Sequence, residues 1–181
     1  MRYLDNVNQS ITERRDIVIE TAFKLFAENR IEPVTMTIVA NNCNMGVASI
    51  YRYFGTKKEL VIAVATKKWR EYYGELQRHY NELNVEKMTA AQELEFYIDR
   101  YIDLYKENSD LLNFNANFSI YIGSEDTTKD EMKPYNSIID KFVNKFHMLY
   151  KKAQDDKTVR TDISEKSIFY NVMSVSYTHL T

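Results

Sequence analysis

Glycine and proline are scarce in this chain, at four and two in 181 residues, against typical usage near 7% and 5%. So few turn-formers argue for long helices, and the predicted class is all-α. A single cysteine, Cys43, excludes an internal disulfide and fits a reducing cytoplasm. It falls on an apolar helical stripe, where packing is the expected role in place of redox sensing. No apolar run approaches the length of a membrane span, and the N-terminus lacks a signal-peptide pattern, so the chain reads as soluble and cytoplasmic. There is no phosphate-cradling glycine loop and no metal-ligand cluster. His79 and His147 stand alone, and the acidic residues are scattered along amphipathic stretches. This pattern argues against an enzyme and calls for no cofactor or metal. The net charge of -2 gives no global pull toward nucleic acid. Splitting the chain after residue 60 leaves 8 Lys+Arg against 7 Asp+Glu before it and 16 against 19 after, a weak asymmetry of the sign DNA would favour.

With 44% apolar and 28% charged residues the chain is globular, and its length can bury one substantial core or a small head on a larger body. The most informative stretch runs from Val34 to Leu60. Met36, Val39, Ala40 and Cys43 recur at i, i+3, i+4 and i+7, the spacing of one buried helical stripe, with the Thr35 hydroxyl placed as an N-cap. Asn44 tolerates the left-handed conformation of a helix exit, and Gly46 opens a second helix. There Val47, Ile50 and Phe54 point inward. Ala48 and Arg52 lie on the opposite side, with Ser49, Tyr51 and Tyr53 flanking them. A small residue admits the helix to a groove floor. Arg can take guanine O6 and N7 or a phosphate, and hydroxyls reach phosphate oxygens. Lys57, within Gly55-Thr56-Lys57-Lys58, could add a backbone contact, and free amides near Thr35 or Gly46 favour a phosphate. On residue chemistry alone a generic solvated surface helix remains the alternative.

The order of residues from about Thr12 to Leu60 resembles the DNA-binding domain of the TetR family. That family's pattern runs Ile, Ala, Leu-Phe, Thr, Ile-Ala, then Tyr-x-x-Phe-x-x-Lys-x-x-Leu. The matching positions are Ile17, Ala22, Leu25-Phe26, Thr35, Val39-Ala40, then Tyr51, Phe54, Lys57 and Leu60. The resemblance implies DNA contacts from Thr35, Thr37, Gly46, Val47, Ala48, Ser49, Tyr51, Arg52, Tyr53 and Lys57. It also implies a homodimer and, more often than not, a repressor. Where the family usually has Gly ending the first helix, Ala-Gly in the turn and Ser capping the recognition helix, this chain has Arg30, Cys43-Asn44 and Gly46. Val47 and Ala48 offer apolar contact, for which thymine methyls are suitable targets.

The predicted organisation is a helix-turn-helix head over residues 1–56 and a helical effector-binding and dimerisation body over 57–174. In the head, the first helix is predicted to start at the capping box Ser10-x-x-Glu13 and to bury Ile17, Phe23 and Phe26. A fourth helix runs from Lys57 toward Asn81 with Leu60, Val61, Val64, Ala65, Trp69, Tyr73, Leu76 and Tyr80 as its stripe. Thr89-x-x-Gln92 opens a helix whose stripe is Leu94, Tyr97, Ile98, Tyr101, Ile102 and Tyr105. Leu111, Phe114, Phe118 and Ile122 continue as far as Gly123, and a polar loop spans Ser124 to Lys129. Ile138 to Tyr150 mark a further long helix, and another begins near Ile163 or Ser164, giving about eight in all.

The resemblance implies a small-molecule effector pocket in the body, for which the candidates are Trp69, Tyr73, Tyr97, Tyr101, Phe114, Asn115 and Phe118. Aromatic residues at helical spacing are more often core, whereas Asn115 on the Leu111/Phe118 face needs a polar partner. Ile168, Val172 and Met173 are candidates for the dimer interface or for an internal face. Residues 175–181 read as non-native. Back-translated as GTC TCT TAT ACA CAT CTG ACG, they match the end used by transposase-based sequencing libraries, so the natural gene is expected to continue past Ser174. The family's dimerising last two helices would then be one cut short and one missing, and weaker operator binding than by a completed chain is expected. The competing reading is a TetR-like co-regulator that acts through a protein partner with little direct DNA contact.

Overall fold

The computed structural model describes residues 2–168, with side chains described over 11–168. The helices are α1 (Arg2–Asn29), α2 (Met36–Asn42), α3 (Val47–Tyr53), α4 (Lys57–Asn81), α5 (Ala90–Glu107), α6 (Ser109–Ser124) and α7 (Lys129–Asp156), with a 3-10 turn at Val85–Lys87. Residues 165–168 are helical, and Ser164 Oγ accepts from the Ser167 amide at 3.1 Å. No strand occurs among the described residues. Val172, Met173 and residues 175–181 lie outside them.

Several ends follow from local chemistry. Thr89 Oγ1 accepts from the Gln92 amide while the Gln92 side chain takes the Thr89 amide, a complete capping box at the start of α5. Thr128 and Glu131 form a second such box at α7: the Thr128 amide donates to Glu131 Oε2 at 2.7 Å and the Glu131 amide to Thr128 Oγ1 at 3.3 Å. The spacing Thr128-x-x-Glu131 carries that signal in the sequence. At the other extreme, α1 runs through Ser10 without a break. A capping box marks a start only where the preceding residues leave the helix, and Arg2 to Gln9 contain neither Gly nor Pro to force that.

Asn29 Nδ2 donates to the Leu25 carbonyl at 3.1 Å, and Arg30 then adopts φ 64°. A side chain in this left-handed region carries a steric cost that glycine avoids. Arg30→Gly is therefore expected to stabilise the fold by about 0.5–1 kcal/mol after the extra freedom of the unfolded chain is deducted. Urea denaturation followed by circular dichroism would show it, and a lower midpoint would refute the backbone argument.

Packing sorts the described residues into two units, 2–68 with 113–135 and 69–112 with 136–168. This grouping differs from a cut at residue 57: the first turns of α4 and most of α6 pack with the head, for a reason visible in its core. In the first unit Val18, Ala22, Phe26, Ile31, Val39, Ile50, Phe54, Leu60 and Val64 are buried to within 1% exposure. Phe114 of α6 joins them fully buried, its ring centroid 5.6 Å from Phe23 and 6.3 Å from Phe26. Ile17, expected inside, is 49% exposed. It stands five positions, about 140°, from Ala22 on the helix wheel, and Val18 and Ile19 fill the inward places instead.

The second unit is built on rings. Phe142 meets Trp69 at 5.8 Å, Tyr72 at 6.1 Å and Tyr73 at 5.0 Å, while Tyr97 meets Tyr80 at 5.9 Å and Phe146 at 5.5 Å. Here α5 is rotated from its predicted orientation. Ala90, Glu93, Tyr97, Tyr101 and Leu104 are buried, whereas Ile98, Ile102 and Tyr105 are exposed. The buried row includes a carboxylate, which a hydrophobicity pattern assigns to solvent. Glu93 is nonetheless satisfied, accepting from Tyr80 Oη at 2.7 Å and from Lys152 Nζ at 3.0 Å.

Candidate nucleic-acid interface

The helix-turn-helix is built as its residues dictate. Thr35, with φ -87° and ψ 162°, accepts at its Oγ1 from the Ile38 amide at 3.2 Å and so satisfies one free donor at the start of α2. Met36, Val39 and Ala40 are buried, and Cys43, half-buried, ends the helix as its C-cap. Asn44 takes φ 54°, its amide donating to the Asn41 carbonyl at 3.2 Å, and the Met45 amide closes onto Ala40 O at 2.9 Å. The chain is thereby turned into Gly46, whose carbonyl receives the Ser49 amide at 2.8 Å. Gly46 caps α3 without a side-chain bond.

Two anchors fix the rotation of α3 about its axis. Ile50 is fully buried and Phe54 is 1% exposed, with the Arg15 guanidinium 4.8 Å from the Phe54 ring centroid. With Ile50 and Phe54 inward, Tyr51 is 50% exposed and Arg52 and Ala48 are open to solvent, as are Thr35, Thr37 and Gly46. Val47, Ser49 and Tyr53 lie half-buried at the rim. Arg52 has its guanidinium carbon 5.7 Å from the Tyr53 ring centroid, a weak cation–π contact that limits its rotamers before any partner arrives. The structure thus gathers nine of the ten sequence-predicted contact residues on α2, α3 and their leading turns.

Lys57 is the tenth, and its ammonium is already engaged. It donates to the Glu32 carbonyl at 2.8 Å and lies 5.4 Å from the Tyr121 ring centroid. Burial lowers its pKa from the ordinary lysine value, opposed by Glu32 and Glu125. The Glu32 carbonyl takes one of the three N–H groups of this ammonium, so a phosphate contact from Lys57 would share it with that carbonyl. Burial and then Glu125 push the Tyr121 phenol up to about 12. The neighbouring Lys58 donates to the Asp126 carbonyl at 2.8 Å and pairs with Glu131 at 2.7 Å. The Lys58 side chain and the Thr128 amide hold the Glu131 carboxyl well below the usual carboxylate range. The sequence reading missed the links from Lys57 and Lys58 to residues 121–131, because nothing local connects positions so far apart.

The effector-pocket candidates divide between the two units. Phe114 and Phe118 are core residues of the first unit, stacked at 5.9 Å, with Phe118 4.9 Å from Tyr135, and Asn115 lies half-buried between them in sequence. Trp69, Tyr97 and Tyr101 are buried in the second unit at 9% exposure or less. Tyr73 lines a groove there, beside Tyr80, Glu93 and Lys145, which are not among the sequence candidates. Ile168, a dimer candidate, is buried at 8% exposure within its own chain. Among the described residues no group of three or more His, Cys, Asp and Glu could hold a metal ion, and no helix is long and apolar enough to cross a membrane.

Comparison with known proteins adds to this geometry. Residues 18–64 match the family model of bacterial regulatory proteins, tetR family. Over 91 residues the chain is 26% identical to an HTH-type transcriptional regulator of Staphylococcus aureus (strain bovine RF122 / ET3-1), a match covering 48% of this chain and 49% of that protein. The chain thus spans about half the length of this curated relative. The fold is similar to that of the transcriptional regulator FadR from Bacillus subtilis, solved in complex with stearoyl-CoA. That match has 15% identity and a TM-score of 0.69 over 88% of this chain and 81% of that one. It is also similar to AibR, solved in complex with isovaleryl coenzyme A and operator DNA, at 16% identity and TM-score 0.69 over 90% of this chain and 83% of that one.

Proposed function

We propose that this chain, whose residues 18–64 match the family model of bacterial regulatory proteins, tetR family, is a sequence-specific DNA-binding transcription regulator of that family, a repressor released by a small-molecule effector and acting as a homodimer. The observation that carries this reading is the outward face of α3. Ile50 and Phe54 lock the helix so that Tyr51, Arg52 and Ala48 face solvent, a set suited to the major groove of duplex DNA. In a two-fold dimer the two copies of α3 would lie about one DNA turn, or a multiple of it, apart and read a pseudo-palindrome. Two proteins of similar fold were solved with coenzyme A thioesters, and one of them with operator DNA as well, which supports effector control of DNA affinity in this chain.

Fluorescence anisotropy on DNA from upstream of its own gene, against a scrambled duplex and at two salt concentrations, tests the reading. Tight, salt-sensitive preference for the native DNA is expected. Arg52→Ala should weaken it by about 1–3 kcal/mol, or about 5- to 150-fold, and Tyr51→Ala should weaken it too, with both variants keeping wild-type helicity. Equal affinity for both duplexes by a well-folded protein, unchanged in either variant, would refute it and favour a regulator that acts through a protein partner.

A further inference from the structure

The second unit contains a groove of about 360 Å³ lined by Tyr73, Tyr80, Glu93, Lys141, Lys145 and Met148. Its charges do not balance. Glu93, at 4% exposure, is the buried member of this lining, and its two oxygens are taken by the Tyr80 hydroxyl and the Lys152 ammonium. Lys152 therefore neutralises it. Lys141 and Lys145, one helical turn apart on α7, keep their charges uncompensated: neither pairs with a carboxylate among the described residues. Each instead rests against a ring, Lys141 Nζ at 5.5 Å from the centroid of Tyr73 and Lys145 Nζ at 4.2 Å from that of Tyr80. Two like charges at i and i+4 repel each other. An anion bridging them would relieve that repulsion and uncover two phenol faces.

We propose that this groove is the effector site and that it takes an anion carried on a flat, apolar body, a proposal that rests on the reading of the chain as an effector-responsive regulator. The carboxylate or phosphate bridges Lys141 and Lys145, and the body lies on the faces of Tyr73 and Tyr80 beside Met148. A cationic ligand is disfavoured on two counts. The ring faces that would receive it already hold the chain's own ammonium groups, and the buried carboxylate has its partner.

The test uses one ring system in four charge states. 2-Naphthoate, 2-naphthyl phosphate, neutral 2-naphthamide and cationic 2-naphthylmethylammonium are titrated into the full chain by isothermal calorimetry. At least one of the two anions should bind ten or more times as tightly as the amide and the cation, and the tighter of the two identifies the head group as carboxylate or phosphate. Replacing both lysines, Lys141→Gln with Lys145→Gln, should weaken that anion at least tenfold at unchanged helicity, and the double Arg replacement should restore it. Preference for the cation, no binding by either anion, or anion binding undiminished in the Gln variant would each overturn the proposal. DNA anisotropy without any naphthyl compound keeps the two readings apart. Operator binding with no anion site defeats this proposal alone, whereas loss of operator preference defeats the regulator reading beneath it.

Discussion

Phe114→Ala should cost the fold about 3–5 kcal/mol, the usual range for emptying a buried aromatic site. Phe114 has no exposed surface and meets Phe23, Phe26 and Phe118 ring to ring. Alanine would leave a void where three rings converge, and those rings cannot collapse into it, because α1 holds two of them on consecutive turns. A loss of this size is a large part of the roughly 5–15 kcal/mol that holds a domain together. Urea denaturation monitored by circular dichroism should show a much lower midpoint, and Phe114→Leu should fall between wild type and alanine. A cost under about 1 kcal/mol would mean that α6 is not seated on the head, because an exposed phenylalanine loses little on truncation.

The second large effect is expected at Glu93. Alanine there removes the acceptor of the Tyr80 hydroxyl and the counter-charge of Lys152 in one step. A buried pair broken on one side costs about 3–5 kcal/mol. The Lys152 side chain is 28% exposed and can rehydrate in part, which brings the expected loss down to about 2–3 kcal/mol. Glu93→Gln keeps a carbonyl oxygen for Tyr80 but turns an amide NH2 toward Lys152 in place of the second oxygen, so it should cost less than alanine, about 1–2 kcal/mol. Thermal denaturation of the two variants checks the order. Equal losses would show that the charge, and not the Tyr80 hydrogen bond, is what α5 depends on.

Glu93 also explains where sequence reading stopped. On α5 two apolar rows share the helical period, and the pattern favoured the row without a carboxylate. The row that is buried contains one, because residues 13 positions before it and 59 after it supply its partners. The helix-turn-helix was legible for the opposite reason: its determinants are local. Thr35 caps its own helix three residues on, Asn44 takes the left-handed turn itself, and the i, i+3, i+4 stripe names its own buried face. Arg30 was legible to the same degree, as the residue that ends α1 where glycine is usual, and it pays with φ 64°. Lys57 was half legible. Its place after α3 is a matter of sequence, but its bond to the Glu32 carbonyl depends on a loop 25 residues earlier. The groove with Tyr80, Lys141 and Lys145 was not legible at all, because a cavity belongs to the space between helices.

That α6 completes the core of the head sets an order of events during synthesis. The helix-turn-helix has left the ribosome when residue 68 emerges, yet Phe114, whose ring meets Phe23 and Phe26, is made 46 residues later (114 minus 68). At about 5–20 residues per second that is a delay of roughly 2–9 seconds. During it, Phe23 and Phe26 of the nascent chain lack their contact with Phe114. Apolar surface exposed for that interval favours aggregation and chaperone capture, so slower translation between those two points should lower the yield of folded protein.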